Sequence, residues 1–321
     1  MPPRKTSRPP PYAARQNRGG VQIPYQVRSL LRRERLRMIA LVILSFLTFL
    51  WLIGRIGGES GSTAAAIIGT GPDVVIVTVL DPKADAGWIE KIKKNREDYA
   101  KRHGYLTFFP ENDRYDLKNS PSSWAKVPAM RHAMTLNPSS AFFWYLESTT
   151  LIMEPSLPLT SHVLASSTLE KSMIVNQPVV PPDSVIKTFG NLKGDRIDLI
   201  ITQDKDGLAL SSFVVRNGEW AKYFLDAWFD PIYRSYNFQK ADTHALEHIV
   251  QWHGTILAKL ALVPQNQINA YVTGPANQEN GQYRDGDLVA NFPGCDKEKR
   301  NCADEMKPFF DIADRKARGL D

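Results

Sequence analysis

Six apolar or aromatic residues, Ala141 to Leu146, run unbroken and then give way to Glu147-Ser148-Thr149-Thr150. Apolar character returns at once in Leu151-Ile152-Met153. A run this short is no helix and predicts a strand buried on both faces. Such a strand, ending in a carboxylate and hydroxyls, puts oxygen ligands at its carboxyl end, where open α/β sheets bind their ligands. Read alone, the segment fits equally well a core strand with a polar end.

The flanking chain supplies a sheet around it. Val74–Leu80 is a second buried strand, β-branched nearly throughout. An amphipathic helix follows over Gly87–His103, with Trp88, Ile89, Ile92 and Tyr99 on or near one face and Gly104 placed to end it. Tyr105–Phe109 makes a third strand, and this strand–helix–strand order predicts a parallel sheet of the nucleotide-binding kind. A helix over Ser122–Leu136 leads into the central strand. Beyond Met153, Pro155, Pro158, Pro178, Pro181 and Pro182 interrupt any long element. Two more strands are expected at Asp198–Thr202 and Ser212–Val215, with Gln203–Leu210 between them. Helices are expected at Ala221–Phe229, stopped by Asp230-Pro231, and at Thr243–Lys259. No internal repeat is present.

Charge is segregated along the chain. Ten of the 40 Lys and Arg residues and one of the 34 acids lie in residues 1–37, so the rest carries 30 basic and 33 acidic residues, a net of −3. Nucleic-acid binding needs a basic face on the folded part, which this distribution denies. The tail, rich in Pro, Arg and Gly, cannot bury a core and is expected to be disordered and cytosolic. Met38–Gly54 is an uncharged run of 17 residues, at the short end for a membrane span. The Arg cluster before it and the single Arg55 after it orient a type II anchor. A cleaved signal peptide is the competitor, with Ala64-Ala65-Ala66 imitating a cleavage site, but the leader is long and so is its apolar run. Residues 55–72 form a flexible stem, and 73–321 the lumenal domain. Cys295 and Cys302, the two cysteines of the chain, fit a loop disulfide in that compartment or two free thiols.

Eight blocks, in order, carry a family resemblance: VVIVTVLDP (74–82), NREDYAKRHGY (95–105), SWAKVPAMRHAM (123–134), FFWYLESTTLIMEP (142–155), IITQDKDGL (200–208), SFVVRNGEWAKYFLDAWFDP (212–231), ALEHIVQWH (245–253) and GDLVANFPGCDKEKRNC (286–302). Together they resemble glycosyltransferase family 34, the fungal galactosyl/mannosyltransferases, and especially the α-1,6-mannosyltransferase subunits of the Golgi mannan polymerase complex. The resemblance implies a GT-A-like, Rossmann-type nucleotide-sugar fold behind a single N-terminal transmembrane helix in the Golgi membrane. It implies retaining transfer of a hexose, usually with Mn²⁺, onto an N-glycan or mannan acceptor. For this branch the donor is GDP-mannose; the family also contains enzymes that use UDP-galactose. Other mannosyltransferase subunits are the partners it implies.

Several family positions are altered. Asp-x-Asp is Glu147-Ser148-Thr149, the metal-binding His is Asn291, and Gly-Leu-Asn-x-Gly-Ser-Phe is Gly207-Leu208-Ala209-Leu210-Ser211-Ser212-Phe213. Thr243 stands where a Gln precedes the late helix. The candidate metal ligands are therefore Glu147, Thr149 and Asn291. Thr78, Arg96, Trp124, Lys126 and Gly294 are the candidates for holding the donor, and Gln203, Asp204 and Asp242 for catalysis. Their plain alternatives are a surface charge for Arg96, a packed ring and a solvated ammonium for Trp124 and Lys126, and a helix-capping neighbour for Asp242. Two expectations follow: a transferase with a reorganised metal site, or a silent subunit that keeps the fold to support a complex.

Overall fold

The computed structural model describes residues 37–38, 41–48, 73–180, 184–236, 238–277, 279–297 and 299–320. The chain divides into two units, Met1–Ala65 and Ala66–Asp321. Of the first, the described residues 37, 38 and 41–48 are helical. Among the described residues no helix is long and apolar enough to cross a membrane. Much of the expected anchor, the tail, the stem and the prolines at 181 and 182 lie outside them.

The second unit contains, in order, β1 (Val74–Val77), α1 (Ala86–His103), β2 (Leu106–Phe108), α2 (Lys126–Leu136), β3 (Phe142–Leu146), β4 (Thr150–Ile152), α3 (Ser166–Ser172), β5 (Leu199–Gln203), β6 (Leu208–Arg216), α4 (Glu219–Trp228), α5 (Pro231–Ser235), α6 (Asp242–Trp252), α7 (Gly254–Leu257), β7 (Leu260–Val263), α8 (Gln265–Ile268), β8 (Ala270–Tyr271), β9 (Val289–Asn291) and α9 (Cys302–Ala317). Six strands pair in the order β2-β1-β3-β6-β5-β7, and three more in the order β4-β9-β8. The sheet is mixed: β1 is parallel to β2 and β3, as the strand–helix–strand order predicts, and β5 to β7, while β6 runs antiparallel to both its neighbours. The reason is local. Asp204-Lys205-Asp206-Gly207 closes a hairpin, so β6 starts at Leu208, four residues before the expected Ser212.

β3 is the wall between two cores. Phe143 and Tyr145 face one, with Val75 and Val77; Trp144 and Leu146 face the other, with Val74 and Ile76. The period of two that sends successive side chains to opposite faces produces this division. α1 covers one face through Trp88, Ile92, Arg96 and Tyr99, spaced four, four and three apart. Asp85 caps its start by accepting from Trp88 N, and Gly104, at φ 70°, ends it in the left-handed conformation. The late helix is shorter than expected. It breaks at His253 (φ −116°, ψ 91°) and restarts as α7 at Gly254.

Cys295 and Cys302 are bonded to each other, closing the turn between β9 and α9. Closing so short a loop restricts the unfolded chain, so Cys302→Ser is expected to cost about 2–3 kcal/mol in urea unfolding of the non-reduced protein. A change under about 0.5 kcal/mol would show that the bridge contributes little.

Candidate functional site

Strand directions collect the site at one edge. β1, β3, β5 and β7 all run the same way, so Thr78, Glu147 and Asp204 leave the sheet at its carboxyl edge. After β3 the chain turns sharply: Glu147 N donates to Ser211 O at 2.8 Å, and Thr150 N to Glu147 O at 3.0 Å. Arg96 lies beneath this turn, fully buried. Its Nη2 donates to Glu147 O (3.0 Å), Thr150 O (2.6 Å) and Thr150 Oγ1 (3.0 Å). Arg96 is therefore no surface charge, and its guanidinium supports the turn from inside. Burial lowers its pKa to about 9, which still leaves it a cation near neutrality.

Above the turn, the Glu147 carboxylate is half-buried and has no hydrogen-bond or ion-pair partner among the described residues. Beside it lies an ion pair, Lys126 Nζ to Asp242 Oδ2 at 2.9 Å, with side chains 5% and 2% exposed. Lys126 is thus neither solvated nor free, and Asp242, the first residue of α6, is more than a capping neighbour. Burial alone would lower the Lys126 pKa, but the carboxylates of Asp242 and Glu147 outweigh it and hold the ammonium above its usual value. The ammonium also sits 5.7 Å from the Tyr145 ring. Burial, with the Glu147 charge adding to it, pushes the Tyr145 hydroxyl far up.

Asp204 ends β5 and is turned into the hairpin. Its Oδ1 accepts from Asp206 N (2.7 Å) and Gly207 N (3.0 Å), and its Oδ2 from Tyr271 Oη (2.9 Å). Burial raises the Tyr271 pKa well above its usual value, with Asp204 and Glu147 adding to it, so this tyrosine links the electrostatics of both acids. Gln203 faces elsewhere: its Nε2 donates to Pro178 O and Val179 O at 2.8 and 2.7 Å, tying down the proline-rich segment. Gln203 and Asp204, paired by the sequence reading as catalytic candidates, thus hold different partners, the one on the proline-rich segment and the other in the hairpin. Trp124 is packed in the core at 1% exposure. Thr78 is fully buried, and its hydroxyl has no partner among the described residues. Gly294 takes φ 72° in the turn after β9, a backbone requirement for glycine.

The structure brings Thr149 and Asn291 together, yet with their polar atoms turned on each other. Thr149 Oγ1 donates to Asn291 Oδ1 at 3.4 Å, and Asn291 Nδ2 donates to Asn269 Oδ1 at 2.9 Å. Asn269 in turn donates to Thr202 Oγ1 at 3.2 Å. Asn291, a candidate metal ligand by sequence, is fully buried and forms a link in a buried amide chain. Among the described residues no three His, Cys, Asp or Glu side chains group to hold a metal. One available carboxylate, Glu147, with neutral oxygens already engaged, does not fit a tightly held Mn²⁺, which prefers several charged or open oxygen donors.

Two acids here make a pH dependence. Burial raises the pKa of Asp204, against the amides and hydroxyl it accepts from, and of Glu247, whose Oε1 accepts from Leu208 N at 3.0 Å. A carboxyl with a raised folded pKa takes up protons on folding between its unfolded and folded values. Stability therefore falls as pH rises through a window opening at the ordinary values of 3.8 and 4.5, and is level above it. Asp204→Asn with Glu247→Gln keeps one accepting oxygen at each position, for the backbone amides of residues 206–208, and is expected to flatten that part of the profile in urea titrations. An unchanged slope would assign it to other groups.

The sequence profile of the galactosyl transferase GMA12/MNN10 family matches residues 70–303. The chain belongs to that family. An uncharacterised α-1,2-galactosyltransferase of Schizosaccharomyces pombe is 29% identical over 235 residues, covering 70% of this chain and 71% of its own length. A further α-1,2-galactosyltransferase of that yeast is 30% identical, covering 71% of this chain and 61% of its own length. The probable α-1,6-mannosyltransferase MNN11 of Saccharomyces cerevisiae is 30% identical over 262 residues, covering 74% of this chain and 61% of its own length. A solved glycosyltransferase involved in glycosylation of the major capsid of PBCV-1 shares the fold at 13% identity and a TM-score of 0.50, over 74% of this chain and 98% of its own length. This member of the GMA12/MNN10 family thus has a GT-A-like glycosyltransferase fold, with its central strands and its Glu147 turn inside the matched region.

Three residues of this family site escape sequence reasoning. Tyr145 carries a signal, since it precedes Glu147 by two and so shares its side of the strand. Glu247 lies within a recognisable block but reads as the polar face of a helix. Tyr271 comes from a two-residue strand of the smaller sheet and has no local mark at all.

Proposed function

We propose that this chain transfers a hexose from a nucleoside-diphosphate sugar to a glycan acceptor at the Glu147 edge, with retention. Mannose from GDP-mannose in α-1,6 linkage to an N-glycan or mannan chain is the leading form. The observation that carries the reading is the half-buried Glu147 carboxylate, free of hydrogen bonds and close ion pairs among the described residues, at the end of the central strand, with a buried ammonium in its field and within the family match. In the reaction the bond from the sugar C1 to the diphosphate oxygen breaks, the acceptor hydroxyl oxygen bonds C1, and its proton leaves with the nucleoside diphosphate. Glu147 and the Lys126–Asp242 pair set the charge against which the sugar is oriented, and Asp204 and Tyr271 line the neighbouring strand end. UDP-galactose is a second donor to test, supported by the galactosyltransferase relatives. The missing ligand set supports another reading, a subunit that keeps the fold and lends it to a complex with other mannosyltransferases. We place the domain in the Golgi lumen on a type II anchor at 38–54; the Arg asymmetry supports this, and a cystine bridge suits an oxidising compartment.

Transfer from GDP-mannose and from UDP-galactose, each with and without Mn²⁺, tests these readings on the full-length protein. Glu147→Gln is expected to lower transfer by about 10–100-fold while moving the unfolding midpoint little, since the carboxylate makes no hydrogen bond or close ion pair among the described residues and Asp242 remains paired with Lys126. A wild-type chain that binds GDP or UDP but transfers neither sugar would establish the silent-subunit reading.

A further inference from the structure

A cleft of about 400 Å³ opens between residues 118–124 and residues 231–236, 238 and 241, which adjoin Lys126 and Asp242 in the chain. Tyr236 and Phe238 give it ring surfaces, and Lys118, Asn119, Ser120 and Arg234 give it polar groups. Tyr236 is 53% exposed and meets Phe238 edge to face at 5.4 Å. Arg234 is held in place, with Nε donating to Phe229 O at 3.1 Å and the guanidinium 4.2 Å over the Phe229 ring. Its Nη groups have no partner among the described residues and remain available as fixed donors. Among the described lining residues there is no carboxylate, so the cleft does not suit a cation.

Two lining residues adjoin the site's ion pair along the chain. Trp124 precedes Lys126 by two residues, Ala241 immediately precedes Asp242, and Lys126 and Asp242 meet at 2.9 Å. Ala241 sits at φ 43°, a conformation that a residue with a Cβ rarely takes. That bend, closed by Ala241 N to Phe238 O at 3.0 Å, turns the chain from the cleft wall to the buried carboxylate.

We propose that this cleft is the docking site of a saccharide, holding the acceptor beside the Glu147 edge; the inference rests on the transfer reading above. A pyranose has a C–H face that packs on an aromatic ring and a rim of hydroxyls that need fixed donors and acceptors. The cleft offers both, in a volume within the usual range of small-molecule sites.

The test is calorimetry on the full-length protein with mannotriose and with a galactose-terminated trisaccharide, each with and without GDP. At least one trisaccharide is expected to bind the wild type. Tyr236→Ala is expected to weaken that binding about tenfold, and Tyr236→Phe, which keeps the ring, to retain most of it. GDP and UDP binding should be unchanged in both. Trp252→Ala, which removes a ring that is 74% exposed and outside the cleft, serves as the control and is expected to bind like wild type. The proposal is overturned if neither trisaccharide binds wild type, if Tyr236→Ala binds as tightly, or if Trp252→Ala loses as much. It is also overturned if Tyr236→Ala weakens nucleotide binding instead, which would make the cleft part of the donor site. Absence of GDP and UDP binding in wild type would count against the transfer reading alone, and a Tyr236-dependent saccharide site would survive it.

Discussion

Lys126→Ala is expected to destabilise the folded domain by about 3–5 kcal/mol, because it leaves the Asp242 carboxylate buried without its cation. The pair is 2.9 Å apart with side chains 5% and 2% exposed, so no water replaces the lost ammonium. Asp242 has a second tie, its backbone carbonyl accepting from Trp228 Nε1 at 3.0 Å, which keeps α6 in place while the charge stays exposed to a poor dielectric. The sign of the pair's own contribution is separable. Replacing both residues by apolar ones, Lys126→Met with Asp242→Leu, removes two desolvation costs along with one attraction, and is expected to recover most of the loss. Urea unfolding of the two single variants and the double variant makes the cycle. If Lys126→Ala unfolds within about 1 kcal/mol of wild type, water reaches Asp242 and the site is open where the structure has it closed. Recovered stability without recovered transfer in the double variant would place the pair in the chemistry and outside the folding balance.

Arg96→Ala is expected to cost about 3–6 kcal/mol, the sum of buried acceptors left without donors and a cavity under the turn. Those acceptors are Glu147 O, Thr150 O and Thr150 Oγ1, all served by one Nη2. Arg96→Lys keeps a cation but lacks the planar fork, and is expected to lose a smaller part. The variants carry a second readout. Since Arg96 holds the backbone of Glu147, nucleotide-dependent transfer should fall further than stability alone requires, even at temperatures where the variant is fully folded. An Arg96→Ala protein with wild-type stability and transfer would mean that the turn holds itself through Thr150 N and Oγ1, which bond Glu147 O at 3.0 and 2.7 Å.

Legibility from the sequence followed the range of the forces involved. The bounds of β3 at Phe142–Leu146 match the expected strand, and α1 lies within one residue of the expected start, because an apolar run, an Asp85 cap and a Gly104 stop are local signals. The early start of β6 was missed because Leu208–Leu210 lack the β-branched look of a strand; their burial decides their conformation. The α6 break at His253 was missed for a related reason. Its apolar spacing continues through Ile256 and Leu257, and only the backbone shows the interruption.

For the site, the residues alone determined that an acid and hydroxyls end a buried strand, that the family's second acid and its histidine are replaced, and that eight blocks keep one order. Those are properties of a string, readable because burial and catalysis constrain residue type at fixed spacing. The tertiary structure decided what each candidate touches. Arg96, a candidate for holding the donor, supports a turn; Lys126, another, is half of a buried pair; and Asn291, a candidate metal ligand, links Thr149 and Asn269. Lys126 and Asp242 are 116 positions apart in the chain, and no local pattern announces a partner at that distance. Only packing the two helix starts against the end of β3 sets that pairing, since burial cost and Coulomb attraction depend on separation in space and not along the sequence.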